Sequence, residues 1–591
     1  MEDALEAAPL PPPDTTSHLV VIVDHSGSMR KEDVPGYPTR TAAVYDCLAR
    51  DLVEPQVKLD GLGRMEMSLI EMNDVATVIL ERSAPDETLL NYIRSCSTRR
   101  AHSHGNYLPA LDAALGLLKG DATRGNRLFL IFLSDGAPSD HTDMQCAHGY
   151  SVWQPDARGT FMRNGKPRLQ DCPVSKTCRE AVRESVKDEC VSYVKHIGDL
   201  LGRDRVYFGS VAFGPPTEDY TVLQGMARAL PRSSFQKLGL SLDCLRTALT
   251  SLSSTLTSLR TEAVGSRSRL TLRTDLTETA QRQSYEERTL LRDGGGWDIY
   301  VGKRCISKLK YDVMGSCYVK CSIAGSDLAS ELGQLHPRKV QRGIAHAAYK
   351  FAEGAERVVF QCTEVVSVDG GATGYSVGPR LVAKETRYTE HLRSKAYYPT
   401  LCRLQGEAEE LAQLFNRRLR GGSECQVRFL PCYVFTLRDP RYPTGKGEIV
   451  VEEELEGVYT KWNDNAGRVA QSSTTTACAD SKALGAIVED DEEEEDREVS
   501  SVPIGDVPQC FSHFTYEVTF GRKLVCDLQA SLKGVWNAMD GFTLTDPVIH
   551  HHSGLKKNGD TDKGMAGIRE FFATHNCGPL CKRLGMEAPV F

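Results

Sequence analysis

The sequence predicts a multidomain protein: a doubly wound α/β domain of Rossmann-like architecture followed by a second, strand-rich half with a different pattern. Three observations lead there. The chain has 591 residues, too many for one hydrophobic core. Residues His18 to Asp24, HLVVIVD, form an unbroken apolar run of the kind buried on both faces of a parallel sheet, and helical and extended segments alternate after it. From about Trp297 the pattern changes to strands such as WDIYVGKR, CYVKCSIA and RVVFQCTEVV.

The composition is that of a globular protein, 40% hydrophobic and 25% charged. Net charge is −8, and the run from Asp490 to Glu498 alone contributes −7. The remainder is close to neutral, which argues against a nucleic-acid-binding stripe or a polybasic membrane patch. The opening MEDALEAAPLPPPDTTS lacks the basic and apolar regions of a signal peptide, and no segment is apolar for long enough to span a bilayer. Nineteen cysteines in such a chain read as reduced thiols and metal ligands, so a cytoplasmic setting is expected.

Residues 1–16 read as a disordered tail and 17–262 as the first domain. Its segments run through TAAVYDCLARDL, MEMSLIEM, ATVILE, ETLLNYIRS, LPALDAALGLL, RLFLIFLSDG, CVSYVKHIGDLLG and VYFGSVAFG. In such sheets ligands sit beyond the carboxyl ends of the strands. Asp24, Ser26 and Ser28 follow the first strand there, and Asp135 follows RLFLIFLS. This D-x-S-x-S set with a later S-D-G resembles the von Willebrand factor A domain, and the resemblance implies a magnesium ion (Mg2+) held by Asp24, Ser26, Ser28 and Asp135, with a protein partner recruited through the domain. One position departs from the family: Gly105 precedes Asn106 where a threonine ligand is usual, so the site lacks a ligand unless Ser103 replaces it. An insert at 140–182 carries Cys146, His148, Cys172 and Cys178, soft donors in spacings that are not specific for a metal. Residues 263–295 read as a partly structured connector.

The second unit, 296–591, contains several groups suited to one chemistry. Lys384 stands in the apolar strand GPRLVAKE, and Arg357 closes KFAEGAER. A long amphipathic helix, TLCRLQGEAEELAQLFNRRL, follows, in which Glu407, Glu409 or Glu410 could pair with a strand lysine. Next come IVVEEELEGVYTKWNDN and, at 471–506, a Ser/Thr-rich and acidic insert that cannot bury a core and reads as disordered. Residues Lys523 to Gln529 read as one buried strand whose period places Asp527 and Gln529 on one side, and these hard oxygen donors suit magnesium. The loop GDTDKG, Gly559 to Gly564, precedes a helix and could turn its amides toward an anion. His575, Cys577 and Cys581 supply an imidazole and two thiols, and His513 is the best fourth donor for a closed tetrahedral zinc site; the alternative is a satisfied core histidine beside reduced thiols.

The order FSHFTYE, DLQ, LTDP, GDTDKG, HNCGPLC resembles the C-terminal half of the atypical alpha-kinases, and the whole chain resembles alpha-kinases that carry a von Willebrand factor A domain. The resemblance implies a two-lobed α+β protein kinase domain using ATP, Mg2+ and Zn2+ to phosphorylate a protein substrate on serine or threonine. It places Arg357 and Lys384 on nucleotide phosphates and Glu452 at the adenine edge, with Glu456 and Gly457 turning the hinge. Asn465 falls in the family's asparagine run. Asp527 and Gln529 would hold magnesium, Asp546 would act beside the transferred group, and His513, His575, Cys577 and Cys581 would hold zinc. The signatures of conventional kinases and of Walker A proteins are absent. After DLQ the family continues with glycine, whereas this chain inserts Ala530 to Lys533, which could displace Gln529. The alternative function is therefore a catalytically impaired, kinase-shaped scaffold that binds proteins through its first domain; a metal-dependent adhesion protein outside the cell would require an export signal.

Overall fold

All eight residues of the strand Ser17–Asp24 are buried. Leu19, Val21 and Val23 join one apolar layer, while Val20 and Ile22 join the layer on the opposite face. A strand covered twice must lie inside a sheet sandwiched by helices. The computed structural model describes residues 17–591 apart from 60–64, 143, 151–161, 164–165, 168–171, 173, 261–269, 274, 277–278, 284, 286–288, 324–339, 355, 420–425, 456–457, 468–504 and 533–540. The expected hinge turn at Glu456 and Gly457, the tail 1–16 and nearly all of the acidic insert thus lie outside the described residues.

The described strands of the first domain form a six-stranded sheet in the order Ala76–Ser83, Met65–Met72, Ser17–Asp24, Arg127–Ser134, Val206–Ala212, Ser233–Lys237. Every pairing is parallel except the hairpin between Met65–Met72 and Ala76–Ser83. The chain reverses direction across the sheet between Ser17–Asp24 and Arg127–Ser134, so the ends of these two strands flank the crevice where α/β sheets bind ligands. Helices Arg40–Cys47 and Leu242–Arg260 cover one face; Tyr107–Lys119, Cys178–Leu201 and Thr221–Arg228 cover the other.

The second half has two lobes. In the first, an antiparallel sheet runs in the order Trp297–Val301, Gln341–Glu353, Arg357–Ser367, Leu381–Thr386, Lys446–Glu453, Cys432–Arg438, Cys305–Asp312, Cys317–Lys320. Helix Tyr397–Leu419 joins the lobes. Its Tyr398 and Cys402 pack under this sheet with Val434 and Val450, and its Phe415 meets Phe511 and Phe514 of helix Asp506–Val518. The second lobe holds a four-stranded sheet, Val427–Phe429, Phe542–Thr545, Gln529–Leu532, Val458–Lys461, and a two-stranded one, Lys523–Cys526 with Val548–His551. The single strand expected from Lys523 to Gln529 is in fact two strands in different sheets. Asp527, at φ +59°, breaks the extended run between them.

The two halves meet at an edge. Ser233–Lys237 is the last strand of the first sheet, and an exposed edge invites foreign strands. Here the second half covers it. The Ala280 amide donates to Lys237 O at 3.0 Å, Lys350 Nζ to Phe235 O at 3.2 Å, and Arg387 Nη2 to Ser233 O. Glu353 sits between the two cations, 2.8 Å from Arg387 and in contact with Lys350, and all three side chains are buried. Burial opposes charge on Glu353, but Arg387 and Lys350 outweigh it and lower its pKa. Removing one partner of a buried ion cluster strands the others without a counter-charge. Glu353→Ala is therefore expected to lower the stability by about 3–5 kcal/mol, read as a drop in the urea midpoint, with faster amide exchange along 233–237.

Candidate functional site

The strand register determines which side chains can meet. Arg357 pairs with Thr386 and Val359 with Lys384 on neighbouring strands, and Lys384 pairs in turn with Val450, so Lys384 and Glu452 stand on adjacent strands of the first lobe. In the second lobe Thr545 ends the strand Phe542–Thr545, and Asp546 follows in the left-handed region at φ +55°. That turn lifts the Asp546 carboxylate toward the first lobe. Arg357 Nη1 donates to Asp546 Oδ1 at 2.9 Å, and Lys384 Nζ donates to Asp546 Oδ2 at 2.7 Å. Lys384 also lies 2.5 Å from Glu452 Oε1 and 3.2 Å from the Thr545 hydroxyl.

The Glu452 carboxylate accepts from the Thr545 hydroxyl at 2.7 Å and from Gln405 Nε2 at 3.0 Å, besides its ion pair with Lys384. It is buried, and it balances Lys384. The helix glutamates do not pair with Lys384. Glu407 is bound to Arg403 and Lys523, and Glu409 accepts from the Phe429 amide at 2.6 Å.

Asp527 and Gln529 come together, though not through strand alternation. Gln529 Nε2 donates to Asp527 Oδ2 at 3.0 Å, while Lys461 Nζ pairs with the other oxygen. Asn463 holds this corner, accepting from the Leu528 amide at 2.9 Å. Gln529 pairs with Thr545 and Ala530 with Leu544, which sets the Asp527 corner beside Asp546. The inserted residues Ala530, Ser531 and Leu532 extend this strand against Val458–Lys461 and leave Gln529 on Asp527; Lys533 lies outside the described residues.

The charges explain the titration. Burial works against ionisation of Asp546, yet Arg357 and Lys384 prevail and hold its carboxyl at about 2. Burial likewise opposes charge on Lys384, and Asp546 and Glu452 overcome it, raising its pKa. Asp527 goes the other way: burial raises its pKa and Lys461 only partly offsets this. Asp464, Asp527, Asp546 and Glu452 stand against Lys384, Arg357 and Lys461, an excess of one carboxylate that fits a divalent cation at Asp527 and Gln529.

The loop from Gly559 to Gly564 folds around Asp562, whose Oδ1 accepts from the amides of His551 at 3.0 Å and Gly564 at 2.9 Å. The Gly559 amide donates to Lys556 O at 3.1 Å. Both glycine amides are spent inside the loop, which corrects the expectation that they face an anion. Asn465 contributes its carbonyl, which accepts from His550 Nε2 at 2.8 Å, while His550 Nδ1 accepts from the Lys563 amide at 3.1 Å. His550 therefore ties the loop to the asparagine segment as a neutral ring.

His513, His575, Cys577 and Cys581 converge as expected, one donor atom from each within 4.8 Å of the others. His513 Nδ1 and His575 Nε2 are 3.1 Å apart; Cys577 Sγ is 3.7 and 3.6 Å from them, and Cys581 Sγ is 3.7 Å from His575 Nε2. A tetrahedral zinc spaces such donors about 3.3–3.8 Å apart, so the set fits. His513 Nε2 meets Glu587 O at 3.2 Å, the outer contact that orients a metal-bound imidazole.

In the first domain Asp24, Ser26, Ser28 and Asp135 also meet. The Ser26 amide donates to Asp24 Oδ1 at 2.8 Å, the Ser26 and Ser28 hydroxyls are 3.0 Å apart, and Ser28 Oγ donates to Asp135 Oδ1 at 2.8 Å. A Cβ on Gly105 would stand 3.6 Å from the Asp24 carboxylate, so the departing position is at the site itself. Ser103 does not replace it, because its hydroxyl binds Asp74. Sequence reasoning missed Arg40, which is buried and bridges Asp135 at 2.7 Å and Asp33. It also missed Lys461 and Gln405; Thr545 was visible only as the neighbour of Asp546.

A model described as the alpha-kinase family matches residues 352–581, and one for the von Willebrand factor type A domain matches 19–137. Alpha-protein kinase vwkA of Dictyostelium discoideum is 29% identical over 216 residues, covering 36% of this chain and 28% of that protein. Human eukaryotic elongation factor 2 kinase is 29% identical over 268 residues, 44% of this chain and 30% of that protein. The chain thus spans less than a third of the length of either relative. A crystal structure of the alpha-kinase domain of myosin heavy chain kinase A with ADP is 21% identical, covers 49% of this chain and 98% of that one, and has a TM-score of 0.33.

Burial holds the His550 imidazole down at about 4 against an ordinary value of 6.5. The native state refuses a proton that the unfolded chain accepts, so this contribution is complete above pH 6.5 and is lost as pH falls toward 4, by about 3 kcal/mol. Urea unfolding from pH 7 to 4 should show that loss, and His550→Asn should flatten the profile relative to wild type.

Proposed function

Because the chain carries an alpha-kinase domain behind a von Willebrand factor type A domain, we propose that it is a protein kinase moving the γ-phosphoryl group of ATP to a serine or threonine hydroxyl of a protein substrate. The observation that supports this most is the meeting of Lys384 and Arg357, from one lobe, with Asp546 of the other, beside the Asp527 and Gln529 corner. Such transfer needs little covalent chemistry from the protein and depends on positioning and charge neutralisation.

In this reading Lys384 and Arg357 exchange part of their hold on Asp546 for the phosphates of the nucleotide. Asp527 and Gln529 would hold a magnesium ion, which would supply charge neutralisation at the phosphates. Asp546, which holds both cations in this structure, stands beside the transferred group in this reading and orients it. A structural zinc on His513, His575, Cys577 and Cys581 ties the last helix, Pro579–Arg583, to helix Asp506–Val518. The first domain recruits a protein partner or the substrate, and the protein acts in the cytoplasm. Among the described residues no helix is long and apolar enough to cross a membrane. The inserted residues that suggest the scaffold alternative leave Gln529 in contact with Asp527, which supports the kinase reading.

Labelled phosphate transfer from ATP to a generic basic protein tests the proposal. The full chain should label serine or threonine, and Asp527→Ala and Lys384→Ala should each reduce the rate about 100-fold or more. Equal labelling by wild type and Asp527→Ala would remove the kinase reading.

A further inference from the structure

The crossover between strand Arg127–Ser134 and helix Cys178–Leu201 is long for an α/β connection. Its described part contains a short 3-10 turn, Asp140–Thr142, and the two-residue strands Met162–Arg163 and Lys166–Pro167. Among the described residues its apolar centre is small: Cys146, Cys172, Cys178 and Val182, with Met144 packed beside them. Small units with so little apolar surface are commonly held by a staple.

The three cysteines are buried, and with the exposed His148 they place one donor atom each within 4.8 Å of one another. His148 Nδ1 is 3.3 Å from Cys178 Sγ and 3.6 Å from Cys172 Sγ. A tetrahedral zinc bound to three sulfurs and one nitrogen spaces its donors about 3.5–3.8 Å apart, so the set needs only a small contraction. The backbone adds an independent feature. Between Cys146 and Tyr150 the chain makes a tight turn, with Gly149 N donating to Cys146 O at 2.8 Å and Cys146 N to Tyr150 O at 2.8 Å. Gly149 takes φ +77°, which other residues rarely adopt. This turn aims the amides of His148 and Tyr150 at the Cys146 sulfur. Amides directed at a sulfur stabilise a thiolate, the form that binds metal.

We propose that Cys146, His148, Cys172 and Cys178 hold a second, structural zinc ion within the N-terminal domain. Three soft sulfurs and an imidazole, the donors that meet there among the described residues, select zinc over magnesium or calcium. The ion pins the crossover to the start of the helix, and the effect reaches the crevice. Asp140, just before the staple, accepts from the amides of Tyr107 and Leu108 at 2.8 and 2.9 Å, and the Ser139 amide donates to Gly105 O at 2.8 Å. The zinc therefore steadies the wall that carries Gly105 beside Asp24.

The test is cysteine alkylation of the full chain, mapped by mass spectrometry with and without a zinc chelator. Cys146, Cys172 and Cys178 should resist iodoacetamide until the chelator is added and then react together, with Cys47 and Cys190 of the same domain as internal references. Modification without chelator, no response to chelator, or reaction only after a reductant would each overturn the proposal, the last by revealing a disulfide. Elemental analysis gives a second readout. Cys172→Ser/Cys178→Ser should carry one zinc fewer per chain than wild type, and an unchanged content would also overturn it. If that variant fails to fold, the alkylation map of the wild type decides.

Discussion

The contact on which the second half depends is the buried meeting of Lys384, Glu452 and Asp546. Charges taken out of water are costly unless each is matched and its remaining hydrogen-bonding capacity filled. Here Thr545 and Gln405 complete Glu452, and Arg357 completes Asp546. The cluster joins two lobes through polar groups, so it closes the cleft without sealing it. An anion entering the cleft can take over the cations that Asp546 holds, and the lobes need not lose their mutual attraction when it does. The strained turn at Asp546, φ +55°, exists to deliver that carboxylate across the gap.

The first domain solves a related problem differently. Its crevice gathers Asp24 and Asp135, and burial together with the nearby Asp135 lifts the Asp24 carboxyl to about 6. Where a metal ion would relieve that repulsion, Arg40 already balances Asp135 from within the fold. Position 105, with no side chain, leaves room beside Asp24. The crevice is thus arranged as a cation site whose charge is partly met by the protein itself.

Much of this was legible in the sequence because several groups are fixed by local spacing. Asp24, Ser26 and Ser28 lie within one turn after a strand, and Cys577 and Cys581 lie within one short helix and the loop before it. Lys384, Arg357, Asp527 and Asp546 were identified from motif order, and the structure brings them to one cleft. What spacing could not reveal is which partner a buried charge chooses, since that depends on register between strands distant in sequence. The helix glutamates were therefore offered to Lys384, whereas the carboxylate that pairs with it is Glu452, on the neighbouring strand and without a local signal. Arg40 and Arg387 carried no sequence signal, because a lone arginine reads as a solvated charge until the fold encloses it.

Arg387 reaches Ser233 O in one domain, Glu353 in the other, and Gly354 O at 3.2 Å, three residues before Arg357. The Gly354 amide in turn donates to Arg357 O at 2.8 Å. Excising the N-terminal half would therefore do more than delete a docking module. It would unmask two cations and a carboxylate that had been sealed, and free the backbone bearing the Arg357 guanidinium. A truncated chain would report on a loosened cleft, and the two halves are better regarded as one mechanical unit whose seam lies next to that cleft.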